Sequence, residues 1–510
     1  MIRQYLAAAV GLAVPGALVA QQPEFTLPPP APVEATLTLK EALEQARTSS
    51  PDFRLALTNV DPAHKGLRTA YGAFVPTLGA GIGAGYTGSG TAQFGGSLTN
   101  ETPSVYNSSY SFQANWTLNG RVLNGPGQQR ASVRAVNEDV ANAEVLLRSS
   151  VTTQYLTALE QAGLVDVQRK QVERNEEFLK LARARYQVGQ GTLLDVRQAE
   201  VQLAQAQVGF LRAAQAAIDA KLELYRLIGV SPPVPVERIA LTDPFTVEPP
   251  TFNREQLIQL AAQENPALKA ELARLDARKY GARAAKSEWM PSLNANASLS
   301  GFTQQFSSTD GLVTNAFRSA RSQAASCEFD NQVRQGLNLG GINPDCNGTA
   351  GLTPDGQRLL PSVEQQIKDR NGKFPFRFTR QPFQLNVSLS YNIFDGFGRS
   401  LRISQARAAE DAQAETVRRQ ALRVRTSVEQ RYYQIEIAYR AIEVQEKNRQ
   451  AAAEQLRLAQ ERYRVGSGTA LDIIDAQNSV QRAEGDYISA VYGYHRAIAA
   501  LEEAVGRPLR

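Results

Sequence analysis

Three aspartates in this chain have the type and spacing to do chemistry. Asp195 and Asp472 hold equivalent places in two copies of one phrase, Arg185-Tyr186-Gln187-Val188-Gly189-Gln190-Gly191-Thr192-Leu193-Leu194-Asp195 and Arg462-Tyr463-Arg464-Val465-Gly466-Ser467-Gly468-Thr469-Ala470-Leu471-Asp472. The copies are identical at eight of eleven positions and lie at an offset of 277. Asp475 falls one helical turn beyond Asp472 on the same face, and its counterpart in the first copy is Gln198. Carboxylates gathered round a common axis repel one another and draw cations. The same residues also make helix caps. Gly189 and Gly191, like Gly466 and Gly468, supply the unusual backbone that ends a helix, Thr192 and Thr469 stand at N-caps, and Asp195 and Asp472 complete capping boxes. Capping accounts for Asp195 and Asp472 without any further role, but it does not reach Asp475. Tyr186 and Tyr463 sit beside these turns, where they either pack against helix ends or hydrogen-bond between neighbouring hairpins.

Other chemistry is poorly supplied. The chain has two histidines, His64 and His495, with no spacing that makes a metal site, and no nucleophile, base or phosphate-loop arrangement. Gly79, Gly81, Gly83 and Gly85 mimic a nucleotide fingerprint but alternate with apolar residues outside any βαβ context. Neither a catalytic site nor a cofactor is indicated. Lysine plus arginine (55) nearly balance aspartate plus glutamate (50), and the basic residues are spread along helices, which argues against nucleic acid as a partner. Residues 1–20 read as a secretory signal peptide: Arg3, an apolar run from Leu6 to Val14, and a small-residue end at Ala20. Cys327 and Cys346 share one loop-like segment, and export to an oxidising compartment favours a disulfide over two free thiols.

The elements that must position the aspartates form a duplicated unit. A Pro-rich lead (21–38) precedes a first repeat (39–230), and a Pro-rich linker (231–251) precedes a second (252–506). Each repeat opens with a helix, Leu39 to about Phe74 and Asn253 to about Trp289, stopped by Pro76 or Pro291. Strands follow, about 77–119 as a pair and then about 292–300 and 383–394. Leu78, Ala80, Ile82, Ala84 and Tyr86 alternate with glycines; Tyr110, Phe112, Ala114, Trp116 and Leu118 alternate with small polar residues. The second repeat shows the same period in Leu293 to Leu299 and Leu385 to Ile393.

One apolar and one small-polar face over about 9 to 11 residues predicts transmembrane β-strands, although a soluble amphipathic sheet has the same period. Four strands cannot close a barrel, so an oligomer must; three copies give twelve. The offset grows by 62 between the strands of the second repeat, locating an insertion within 301–380 that holds both cysteines. It is expected to be an extracellular loop without a core of its own. Helices of some 65 residues, roughly 95 to 100 Å, then lead to each duplicated phrase, and helices of about 36 residues return.

In these features the chain closely resembles the TolC family of outer membrane efflux proteins. The duplicated hairpins, the aligned Ser50-Pro51 and Asn265-Pro266 entries, and Tyr391-Asn392-Ile393-Phe394-Asp395-Gly396 carry the resemblance. It implies a mainly α fold with a transmembrane β part: a homotrimer with a 12-stranded barrel in the outer membrane of a Gram-negative bacterium and a long α-helical coiled-coil barrel in the periplasm. It implies the exit channel of a tripartite efflux or type I secretion system, with a periplasmic adaptor, an inner membrane RND or ABC transporter and outer membrane lipid as partners. The family's gate links an aspartate, a tyrosine and an arginine, which fall at Asp195, Tyr463 and Gly468, so the arginine is missing. Its lower acidic ring matches Asp472 and Asp475. The adaptor-contact tips match Val188, Gly189 and Gly191, and Val465, Gly466 and Gly468. An exported coiled-coil scaffold or adhesin without a pore is the alternative.

Overall fold

The computed structural model describes residues 32–94 and 97–509; the expected signal peptide (1–20) lies outside them. In chain order come β1 (Ala35–Leu37), α1 (Leu39–Ser49), α2 (Pro51–Thr58), α3 (Val60–Gly72), β2 (Thr77–Thr87), β3 (Gly90–Phe94), β4 (Ser97–Thr102), β5 (Val105–Leu118), α4 (Gly120–Gln187) and α5 (Leu193–Ile228). The second repeat supplies β6 (Ile239–Leu241), α6 (Arg254–Glu264), α7 (Pro266–Lys286), β7 (Ser292–Phe306), α8 (Asp310–Gly336), α9 (Cys346–Thr349) and α10 (Pro361–Asn371). It ends with β8 (Thr379–Arg380), β9 (Gln384–Ser390), α11 (Gly398–Arg464) and α12 (Ala470–Val505). Among the described residues no helix is long and apolar enough to cross a membrane. The described residues divide into two compact units, one within 32–57, 140–266 and 422–509, the other within 58–139 and 267–421.

The first unit is helical, and its packing repeats. Val151, Leu224 and Ile228 are buried with Ala42 and Ala46 in one core; Val428, Leu501 and Val505 are buried with Leu257 and Ala261 in another. Each residue of the second set stands 277 or 215 positions after its partner in the first, so the duplication extends from sequence to core. Both return helices also stop alike. Gly229 and Gly506 adopt left-handed backbone (φ +85° and +93°), and a Cβ on either would come within 3.0 Å of the Ser49-Ser50-Pro51 or Glu264-Asn265-Pro266 corner. Those corners break the expected continuous first helices, because a proline cannot extend the helix before it. Strands β1 and β6 pair in parallel beside the first core. There Tyr155 Oη donates to Asp243 Oδ2 at 2.6 Å; burial, then the neighbouring carboxylate, pushes its phenol well up.

The second unit holds the sheet. Strand β2 pairs antiparallel with β5, β5 with β7, and β7 along its other edge with both β8 and β9. Strands β8 and β9 thus form one interrupted fourth strand, parted at Gln381-Pro382-Phe383, where a proline on the edge has no N–H to give the ladder. The register brings Leu78, Ala114, Ala297 and Leu385 to one face and Gly79, Gln113, Ser298 and Gln384 to the other. Leu78, Ile82, Leu385, Val387 and Leu389 are all more than half exposed, an apolar area far larger than isolated surface leucines make. Strands β2 and β9 leave the sheet with two open edges.

Two expectations need correction here. Strand β7 runs on to Phe306, past the expected end at 300, while β9 stops at Ser390, short of 394. The insertion is also not a coreless loop. Helix α8 spans 27 residues, and Ala320, Ala324, Leu352 and Leu359 bury one another beside Ala316 and Phe317. Alanines at 316, 320 and 324 recur at helical spacing, so the segment builds a small core of its own. Cys327 and Cys346 are joined there, with Cα atoms 5.6 Å apart.

Candidate functional site

The two duplicated phrases form hairpin tips within the first unit. In each, the long helix ends on a glycine with positive φ, Gly189 at +75° and Gly466 at +81°. The next amide turns back to the helix: Gln190 N donates to Arg185 O and Ser467 N to Arg462 O, both at 2.9 Å. The return helices start with matching capping boxes. Thr192 N donates to Asp195 Oδ2 and Thr469 N to Asp472 Oδ2 at 2.9 Å, and each aspartate N donates back to the threonine Oγ1 at 3.2 Å. Asp472 is exposed, and its carboxyl is held below the usual carboxylate range, first by the bond from the Thr469 backbone and then by that from its side chain. The caps are therefore made in both copies, whatever else these aspartates do.

Beneath the caps the copies part. Phe178, Leu179, Ala182, Val196, Ala199, Tyr463, Ala470, Ile473 and Ile474 form a single core that joins the two hairpins. Tyr463 is 3% exposed within it, whereas its counterpart Tyr186 is 47% exposed. The Tyr463 ring meets Phe178 edge-on at 5.8 Å and carries the Arg185 guanidinium over its face at 4.4 Å. Arg185 Nη1 also donates to the carbonyl of Tyr463, and Nη2 to the carbonyl of Gln190 at 3.1 Å. One arginine thus ties its own turn to the tyrosine of the other hairpin.

The Tyr463 phenol is pushed up by burial, then by the Asp195 carboxylate, with Arg185 opposing. Among the described residues its buried hydroxyl has no hydrogen-bond partner, nor has Arg185 Nε. Both atoms are shielded from solvent, where an unpaired polar group costs about 1 to 3 kcal/mol.

Tyr463 and Arg185 are therefore in contact, while the Asp195 carboxylate is bonded to its own cap and acts on the phenol through its charge. Asp472 and Asp475 are not part of that contact; both stand exposed on α12, and the Asp475 backbone carbonyl accepts from Ser479 Oγ at 2.8 Å. The position matching the family's gate arginine is a glycine held close to the preceding turn. A Cβ on Gly468 would come 3.0 Å from the amide nitrogen of Tyr463 and 3.1 Å from Arg462 Cβ. Arg185 places its cation on the same tyrosine from the opposite hairpin. Sequence reading passed over it because Arg185 and Arg462 are twins; the clue lay deeper, in Phe178 standing opposite Gln455. At the extreme of each tip, Val188 and Val465 are largely exposed, and so are Leu194 and Leu471, a second pair 277 residues apart that sequence reading left out.

Comparison with known proteins bears on what these tips belong to. A family model described as outer membrane efflux protein matches residues 42–230 and 355–507. No curated protein matches the chain in sequence. Among solved structures, the outer-membrane channel OprN is similar with a TM-score of 0.67 at 17% identity, covering 92% of this chain and 89% of that one. The outer membrane protein VceC of Vibrio cholerae aligns with a TM-score of 0.66 at 14% identity over 92% and 97% of the two chains. The open state of the Neisseria gonorrhoeae MtrE outer membrane channel gives 0.64 at 20% identity over 92% and 89%.

Proposed function

The chain belongs to the outer membrane efflux protein family, and on that premise we propose that it is the exit channel of a tripartite efflux or type I secretion assembly. It is a channel of the outer membrane with a periplasmic part, not an enzyme. Three copies of a sheet four strands wide close a twelve-stranded barrel, which leaves no open edge against lipid. Family membership sets aside the poreless scaffold. In our reading the two hairpin tips are the periplasmic entrance. Val188, Gly189 and Gly191 with Val465, Gly466 and Gly468 meet an adaptor protein that joins the channel to an RND or ABC transporter of the inner membrane. Tyr463, Asp195, Asp472 and Asp475, with Arg185 added, control the opening, and the transporter supplies the energy.

The observation that carries this reading is the join between hairpins. Tyr463 is buried in a core made by both, so spreading the hairpins must expose it. Cysteines at Val188 and Val465 test the docking surface. In cells that make the intact assembly, each is expected to cross-link to a periplasmic partner, while a cysteine at Val208 on α5 stays free. Equal labelling at all three positions, with no partner captured, would remove the tips from the docking surface.

A further inference from the structure

The start of β2, the end of β5, the start of β7 and the end of β9, which join α3, α4, α7 and α11, share one end of the sheet, so the β2–β5 loop and the 307–378 insertion lie at the other, the exterior end. There the insertion sends a strap back across the apolar face. Asn371 anchors its start, accepting from Phe306 N at 2.7 Å and donating to Phe306 O at 2.8 Å. Phe374 packs at a tilt against Tyr106 with centroids 5.7 Å apart, and Phe378 meets Tyr110 edge-on at 5.0 Å. Between them Ser108 Oγ donates to the carbonyl of Pro375 and shares a hydrogen bond with Thr303 Oγ1 at 2.8 Å. These two hydroxyls break the apolar pattern of the face, and the strap is their reason: both are buried beneath it.

The strap lies at a defined height. Tyr106 and Trp116 point to the same face of β5, ten residues apart. At about 3.4 Å per residue and a tilt near 40°, they are separated by roughly 25 Å along the barrel axis, the thickness of the apolar band between two aromatic girdles. Tyr86, 4.9 Å from Tyr106, and Phe374 and Phe376 therefore lie at the outer interface. The strap crosses the two inner strands, β5 and β7, so closing the barrel through β2 and β9 leaves it facing lipid.

Its charge is one-sided. Lys373, Arg377 and Arg380 are interleaved with Phe374, Phe376 and Phe378, and no acidic residue occurs from 370 to 394. Among the described residues none of the three cations makes an ion pair or a side-chain hydrogen bond. Phe376 is 77% exposed. Lys373 stands at headgroup height beside Phe374, and Arg377 and Arg380, level with Tyr110 about 10 Å deeper, reach toward that height by extending their long side chains. Three unpaired cations beside exposed aromatic rings on a lipid-facing surface thus match a phosphate-bearing lipid.

We propose that this strap binds the phosphate groups of an anionic lipid of the outer leaflet, with Lys373, Arg377 and Arg380 as its ligands and Phe376 seated among the acyl chains. The test uses the full-length trimer purified in mild detergent, titrated with diphosphorylated lipid A and read by native mass spectrometry. Replacing Lys373→Gln, Arg377→Gln and Arg380→Gln together should weaken binding by about fivefold for each cation removed. Lys373→Arg with Arg377→Lys and Arg380→Lys should keep it. The unaltered trimer gives a second reading that does not depend on folding of a variant: lipid binding should fall as salt rises. Unchanged binding by the glutamine variant, or binding insensitive to salt, would overturn the proposal. So would equal binding of dephosphorylated lipid A, which would mark a site for acyl chains alone, or displacement by millimolar inorganic phosphate, which would mark a site for a free anion.

Discussion

The two hairpin tips share a backbone and differ in what lies under it. Both end a long helix on a left-handed glycine, and both restart with a threonine–aspartate box of the same bond lengths. Yet Tyr186 points outward while Tyr463 is buried against Phe178, and Arg185 is engaged while Arg462 stands exposed. Duplication has thus kept the parts that make a turn and let the parts that join turns diverge. The common features build each tip; the differing ones hold the two tips together. Substitutions at equivalent positions separate these roles.

The largest contrast is expected at the tyrosines. Tyr463→Ala empties a core site shared by both hairpins and should cost about 3 to 5 kcal/mol, whereas Tyr186→Ala, at an exposed site, should stay within about 0.5 kcal/mol. Hydrogen exchange over residues 178–199 and 456–474 measures the local cost, and single-channel conductance should rise for the first variant alone. Tyr463→Phe should hold the tip at least as well as the native residue, since the hydroxyl it removes has no partner. Because the Tyr463 phenol is raised, its neutral form is the one the fold favours. Its contribution is complete below the ordinary tyrosine value of about 10 and is lost only as pH climbs through the higher folded value. Loosening of the tip at neutral pH through this group would contradict the buried placement.

Next come the arginines. Arg185→Ala loses a cation over a ring and charged hydrogen bonds to two carbonyls, together about 2 to 3 kcal/mol, while Arg462→Ala should change stability by less than about 0.5 kcal/mol. Arg185→Lys keeps the charge but not the fork that reaches both carbonyls, and should fall between. Trypsin cleavage at Arg464, a site that both alanine variants keep, offers a simple reading: the Arg185→Ala tip should be cut faster there than the Arg462→Ala tip, and equal rates would dissolve the contrast.

How much of this was legible in sequence follows from which interactions are local. Caps, turns and the alternation of strands are set by residues within a few positions of one another, so Thr192, Asp195, Thr469 and Asp472 could be read directly. The β2, β5 and β7 pattern was equally clear, because each strand carries its own two faces. Arg185 was not legible as a joining residue, since its partner Tyr463 is 278 positions away and its twin Arg462 has the same neighbours in sequence. The insertion failed as a loop for a different reason. Its core pairs alanines at helical spacing on α8 with Leu352 and Leu359 some 30 residues later, so the large hydrophobic residues that complete it are scattered in sequence and form no local pattern.

The caps should respond in the same way in both copies. Thr192→Ala and Thr469→Ala each remove one side-chain acceptor and should cost about 1 kcal/mol. Acid should undo the second box in a defined direction. Asp472 is depressed in the folded state, so its contribution is complete above the ordinary carboxylate value of about 4 and is lost as pH falls through the lower folded value. Protection of the Thr469 amide should follow that loss. A markedly larger cost at one threonine than at the other would mean that the boxes are not equivalent.

The smallest structural effect, and the most specific functional one, belongs to Asp475. It is exposed, has no capping duty and stands opposite Gln198, so Asp475→Ala should leave the melting temperature unchanged. If three copies bring Asp472 and Asp475 around one axis, six carboxylates raise the local concentration of cations and bind divalent ions that obstruct the opening. The double variant Asp472→Ala with Asp475→Ala should then show higher conductance and weaker divalent block in planar bilayers. Asp475→Ala alone should give part of that change without disturbing a cap. Introducing Gln198→Asp sharpens the comparison, because it gives the first tip the carboxylate it lacks and should strengthen the block if that tip faces the axis as well. Unaltered block in the Asp475→Ala channel would confine cation binding to other groups and leave the asymmetry of the tips with Tyr463 and Arg185 alone.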